Sequence, residues 1–216
     1  MFRLPGGIGR SRLIPLALAP PRPDLGLMRR TLLILLLGLP ATALAQAPAP
    51  PRGAEARKAE LDRAFNALRT APDEAGAALV EARIRMLWAQ AATPSVGLLL
   101  RRGLRNVEAN LPAEALEDFD AAITLAPEFA EAWFLRAQAH HRSGQAAAAV
   151  RDLQEVLRLE SRHWPALLAL SSIQDEAGDA RGALRSLVAA LAIHPKLPGG
   201  EARLREQRRK AEGDAT

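Results

Sequence analysis

The stretch AEAWFLRAQAHHRSGQAAAAVRDLQEVLRLESRH, residues 130–163, decides the fold. Its apolar and small residues recur at helical spacing, and Gly144 breaks the run near its middle. Shifted by 34 residues in either direction, the pattern repeats. Trp133 falls on Leu99 and Leu167, and Ala137 on Gly103 and Ser171. Gly144 falls on Asn110 and Gly178, and Ala149 on Ala115 and Ala183. Leu153 falls on Phe119 and Leu187, and Val156 on Ala122 and Ala190. Leu159 falls on Leu125 and Ile193, and Ser161 on Pro127 and Pro195.

Each column has a physical reason. The columns of Ala137 and Ala149 stay small, so two helices cross closely there. The column of Leu153 supplies the bulk that fills the adjoining gap. Asn110, Gly144 and Gly178 stand where a helix ends, and both residue types tolerate the left-handed cap conformation. Pro127 and Pro195 follow the second helix of their units and stop it.

These columns resemble the tetratricopeptide repeat. Three units match, at residues 96–129, 130–163 and 164–197. The tyrosine usual in the first helix is replaced by Asn106, His140 and Gln174, and Ser161 stands where proline is usual. The resemblance implies an all-α helical solenoid in which the first helix of each unit lines a concave groove that takes a peptide or partner helix. Carried across by alignment, the groove positions are Gly97, Leu100, Leu104, Val107 and Glu108 in the first unit. The second supplies Glu131, Phe134, Gln138, His141 and Arg142, and the third Pro165, Leu168, Ser172, Asp175 and Glu176. Phe134 and Leu168 would anchor an apolar side chain, and Arg142 would pair with a carboxylate. The lysine and asparagine cluster with which chaperone-binding relatives hold a C-terminal carboxylate is absent. Alternatively, Leu100, Leu104 and Val107 pack on the segment that precedes the repeats.

That segment, residues 55–92, reads as an N-terminal helical hairpin, with Pro72 in the first turn of its second helix. Its spacing fits the repeat frame poorly. Residues 200–216 read as a polar capping helix and tail after Gly199-Gly200, covering the apolar end of the solenoid.

The chain has 216 residues, 29 basic against 24 acidic, which gives a formal charge of +5. The location of that charge matters more than its size. Met28-Arg29-Arg30 leads into a leucine-rich run, Pro40 and Ala43-Leu44-Ala45, the pattern of a secretory signal peptide cleaved near Ala45-Gln46. The apolar run is too short for the ~20 residues of a membrane span. Residues 1–27 either precede a true start at Met28 or extend the positive region. Residues 1–45 hold six arginines and one aspartate, so the remainder carries 23 charges of each sign. That balance removes the support for nucleic-acid binding. Residues 46–54 form a Pro/Ala linker. Arginine outnumbers lysine and alanine dominates, so the chain resembles small exported tetratricopeptide proteins of high-GC bacteria. The expected setting is periplasmic or secreted, with no membrane span in the mature chain.

No catalytic constellation accompanies the repeats. Cysteine is absent, and His140, His141, His163 and His194 follow no metal-ligand spacing. No nucleophile elbow or phosphate loop occurs. The chain is expected to be a scaffold for protein partners, without cofactor, metal or enzymatic activity. A cell-wall binder or modifier is the alternative, resting on Trp164 as a partly exposed stacking surface.

Overall fold

The fold comes from a computed structural model that describes residues 52–213, and nine α-helices with no strand make up those residues. The leader with its cleavage site, the first six residues of the linker and the last three of the tail lie outside the described residues. In chain order the helices are α1 (Arg52–Arg69), α2 (Glu74–Ala89), α3 (Pro94–Glu108), α4 (Pro112–Leu125) and α5 (Ala130–Arg142). They continue as α6 (Ala146–Leu159), α7 (Trp164–Glu176), α8 (Ala180–Ile193) and α9 (Gly200–Gly213).

The three repeats are the antiparallel pairs α3–α4, α5–α6 and α7–α8, each stacked on the next. Local chemistry sets their ends. Asn110, Gly144 and Gly178 take φ values of 57°, 74° and 79°, the left-handed cap that lets the chain reverse into the second helix. Pro94, Pro112 and Pro165 sit in first turns, where a missing N–H costs nothing. Helix α2 starts at Glu74, so Pro72 does not stand in its first turn as the sequence suggested. Asp73 is its N-cap, accepting from the Gly76 N–H at 2.8 Å, which leaves Pro72 outside the helix.

The small columns do what their size requires. A Cβ added to Gly103 would lie 2.5 Å from the Phe119 ring, so α3 and α4 approach as closely as a glycine permits. Gly103→Ala should therefore cost about 1–3 kcal/mol in denaturant unfolding through overpacking. Adding Phe119→Leu should recover part of that loss. A double variant no more stable than Gly103→Ala would break the assignment.

One side-chain pairing recurs with the repeat period and joins the two helices of a unit. Arg102 and Asp118 are 16 residues apart and hydrogen bond, Nε donating at 2.6 Å. Arg136 and Asp152 repeat this one unit later as a two-pronged pair at 2.8 and 2.7 Å. Arg136 also reaches back to Asp120 of α4 at 2.6 Å, so one guanidinium ties the second repeat to the first. Its hydrogen bonds to Asp152 hold its pKa above the ordinary arginine value. The third repeat substitutes Leu170 and Ser186 in these columns, and the Ser186 hydroxyl pairs with Gln174 instead.

The N-terminal hairpin does not extend the stack. It turns back and lies against the third repeat. Phe65, Leu68, Ile84, Leu87 and Trp88 share one core with Trp164 and Ala190, and Leu167, Leu168, Ile193 and Leu197 pack against it. Trp88 stacks on His163 at 4.5 Å between centroids, and Trp164 lies 5.2 Å from Trp88 and 6.1 Å from Phe65. Polar bonds frame this core. Arg162 donates to Asp62 at 2.7 Å, and His194 Nε2 lies 3.2 Å from Glu81. The alternative that Leu100, Leu104 and Val107 cover the hairpin is not what forms. Leu100 and Val107 belong to the core of the first repeat with Phe119 and Ile123, and Leu104 stays exposed. Bulk explains the choice. Trp164 and its neighbours at the third repeat offer the hairpin's aromatic residues a larger apolar surface than α3 does.

Helix α9 closes the C-terminal end of the array, on the third repeat. The Gln207 amide donates to Asp175 at 3.1 Å and to the Ala180 carbonyl at 3.3 Å, and Lys210 reaches Asp175 at 2.6 Å.

Candidate partner-binding groove

The groove is built from α3, α5 and α7, whose side chains at matching repeat positions line up across the array. Its two halves differ. In the half formed by the N-terminal turns, Leu100 is buried in the first repeat's core and Phe134 in that of the second and third. The Phe134 ring is 4.8 Å from the His163 ring, and Leu168 packs against the hairpin core. Glu131 lies 3.4 Å from His163 Nε2. Phe134 thus has no free face for an incoming side chain, because the histidine and the hairpin behind it occupy that space.

The half formed by the C-terminal turns stays accessible. Leu104 is 39% exposed, and Glu108, Arg142 and Ser172 are also exposed, with Gln138 and His141 half-buried between them. His141 Nε2 lies 2.7 Å from Glu176 of the next repeat, a bridge across the groove floor. Ser172 donates to Glu176 at 3.4 Å. Asp175 is taken by α9, and its hydrogen bonds from Lys210 and Gln207 lower its pKa below the usual carboxylate range. Beside Arg142 a recess of about 280 Å³ opens between Val107, Asn110, Pro112, Ala139 and Ser143. The strip therefore combines one exposed leucine, polar amide and hydroxyl groups, and one guanidinium with no carboxylate partner among the described residues.

The aromatic residues offer no second surface. Trp164, expected to be partly exposed, is 1% exposed, because the hairpin covers it. It presents no face to a sugar. Trp133 is held by its Nε1 donating to the Pro127 carbonyl at 2.9 Å and by the Arg136 guanidinium 4.7 Å above its ring. Among the described residues no group of three or more His, Asp or Glu side chains is arranged to hold a metal ion, and no helix is long and apolar enough to cross a membrane.

No family model matches the sequence. A TPR repeat-containing protein of Rhizobium etli is 29% identical over 138 residues, which cover 64% of this chain and 68% of that protein. Among solved structures, the Sgt2 TPR domain from Aspergillus fumigatus is similar with a TM-score of 0.53 and 20% identity, over 57% of this chain and 83% of that one. The first TPR of Spaghetti (RPAP3), bound to the HSP90 peptide SRMEEVD, gives 0.51 and 16%, over 56% and 94%. The period, the small columns, the left-handed caps and these likenesses agree, and the pairs α3–α4, α5–α6 and α7–α8 have the fold of a tetratricopeptide-repeat array.

Proposed function

We propose that this protein is an exported protein-interaction module that holds a peptide or partner helix along the C-terminal halves of α3, α5 and α7. The observation that carries this is the open strip from Leu104 through Gln138 and Arg142 to Ser172, in a groove whose other half is filled. The strip lies on rigid helices, so a partner meets preorganised groups and little ordering entropy is lost. Leu104 suits one apolar side chain and Arg142 a carboxylate. A similar repeat domain bound to an HSP90 peptide supports peptide capture as a use of this fold.

The setting we propose is the bacterial envelope, after cleavage near Ala45-Gln46. The signal-like segment at Met28 to Ala45 and the balanced charge of the remainder support it. N-terminal sequencing of the exported product should begin at Gln46, and a product retaining residues 28–45 would overturn this part.

The binding test uses the open strip. A partner recovered from envelope extract with the wild-type chain should bind about tenfold more weakly, about 1.4 kcal/mol, to the Leu104→Asp/Arg142→Glu variant. Both side chains are exposed, so the variant should keep its helical circular dichroism. Undiminished binding by the folded variant would sink the groove assignment.

A further inference from the structure

The first repeat ends the array with a face that the other two repeats bury. In α5, Ala132, Leu135 and Ala139 lie in one core with Phe119, Ala122 and Ile123 of α4. In α7, Ala166 and Ile173 are buried the same way against α6, with Ala169 packed beside them. The same columns 34 residues before those of α5 hold Leu98, Arg101 and Arg105, and Arg102 stands in the column of Arg136. These four residues follow the i, i+3, i+4, i+7 spacing of one helical stripe. All four are exposed, Leu98 at 57%. No helix among the described residues covers them, because the hairpin that precedes α3 has turned back to the third repeat.

The joint between the first two repeats shows what such a face accepts. There, α4 lays an apolar stripe on α5 and offers Asp120 to Arg136. Arg102 has its own intra-repeat partner, Asp118, but no carboxylate from a preceding helix. Arg101 and Arg105 have no ion pair among the described residues.

We propose that the exposed stripe of α3 docks an acidic amphipathic helix of a partner protein, in the position that α4 holds over α5. Charge selects this occupant. A second copy stacked head to tail would bring α9, which holds five basic residues against Glu201, Glu206 and Glu212, onto three arginines. Residues 1–51 of this chain hold six arginines and one aspartate, so they do not supply the carboxylates either. Leu104 lies about 110° around α3 from the centre of the stripe, so groove and stripe adjoin at Arg101 but face different partners.

The probe is a fluorescent, helix-stapled peptide with the sequence of residues 112–125, which contains Glu114, Glu117, Asp118 and Asp120 and no basic residue. Titrated with the full chain, it should bind at low salt and weaken steeply as salt rises. Arg101→Glu/Arg105→Glu and Leu98→Asp should each weaken binding tenfold or more, and Leu104→Ala should leave it unchanged. The proposal is overturned by no measurable binding, by equal binding to the charge-reversed variant, or by equal binding of a peptide with Gln and Asn at its acidic positions. It is also overturned if the chain dimerises and Arg101→Glu/Arg105→Glu abolishes the dimer, which would make the occupant a second copy. Loss of envelope-partner binding by the groove variant, with this peptide still bound, separates the two surfaces.

Discussion

Trp164→Ala is expected to cost about 3–5 kcal/mol and to release the N-terminal hairpin from the array. The indole stands where hairpin and third repeat meet. Its ring touches Phe65 and Trp88 of the hairpin, His194 at 5.5 Å between centroids, and the Arg85 guanidinium at 5.8 Å. Truncation removes the apolar burial and the aromatic pairs together, and leaves a cavity that rigid helices close poorly. The cores of the first repeat and of the joint between the second and third do not include this residue. Limited proteolysis should then cut near residues 70–73 or 90–93 while α3–α8 survive, and Trp88 fluorescence should shift to the red. A loss below about 1 kcal/mol with no new cleavage would show that the hairpin is held elsewhere. A second consequence concerns binding. Releasing the hairpin frees part of the surface around Leu168 and His163, so the variant should bind apolar probes that the wild type excludes.

Asp152→Ala should cost about 3 kcal/mol, because it leaves the Arg136 guanidinium, 19% exposed, without its two-pronged partner. Asp120 remains and limits the damage. The structurally equivalent Asp118→Ala should cost less, about 1 kcal/mol, since Arg102 is 59% exposed and regains water when its partner is lost. The third repeat supplies the control. It replaces the arginine and aspartate by Leu170 and Ser186. Arg136→Leu/Asp152→Ser should accordingly recover much of the stability lost by Asp152→Ala, as apolar replacement of a buried pair often does. Denaturant midpoints of the three variants check this. Equal losses at Asp118 and Asp152, or a double variant weaker than the single, would contradict the burial argument.

The repeat array was legible because its determinants are local. Gly103, Asn110 and Gly144 each state a backbone or packing requirement that holds wherever the unit sits. The Arg136–Asp152 pair was legible too, in the recurrence of arginine at 102 and 136 and of aspartate at 118 and 152. The period of one helix relates residues three or four apart, whereas these partners are 16 apart and meet across two helices. The candidate groove was only half legible. Alignment named Leu100, Phe134 and Leu168 alongside Leu104, Gln138 and Ser172, with nothing to separate them. Burial separates them, and it comes from residues far away in the chain, His163, Trp88 and the rest of the hairpin core.

By itself the sequence determined that this chain is helical, that it repeats every 34 residues, and where the helices of its repeats turn. Only the tertiary structure decided that the hairpin docks on the third repeat, that Trp164 is buried, and that α3 presents Leu98 and three arginines uncovered. An amphipathic stripe such as Ile84, Leu87 and Trp88 declares that a helix face must leave water, but not which surface receives it. The hydrophobic effect has no direction. Partner choice depends on area and shape summed over distant residues, so it emerges only when the whole chain has folded.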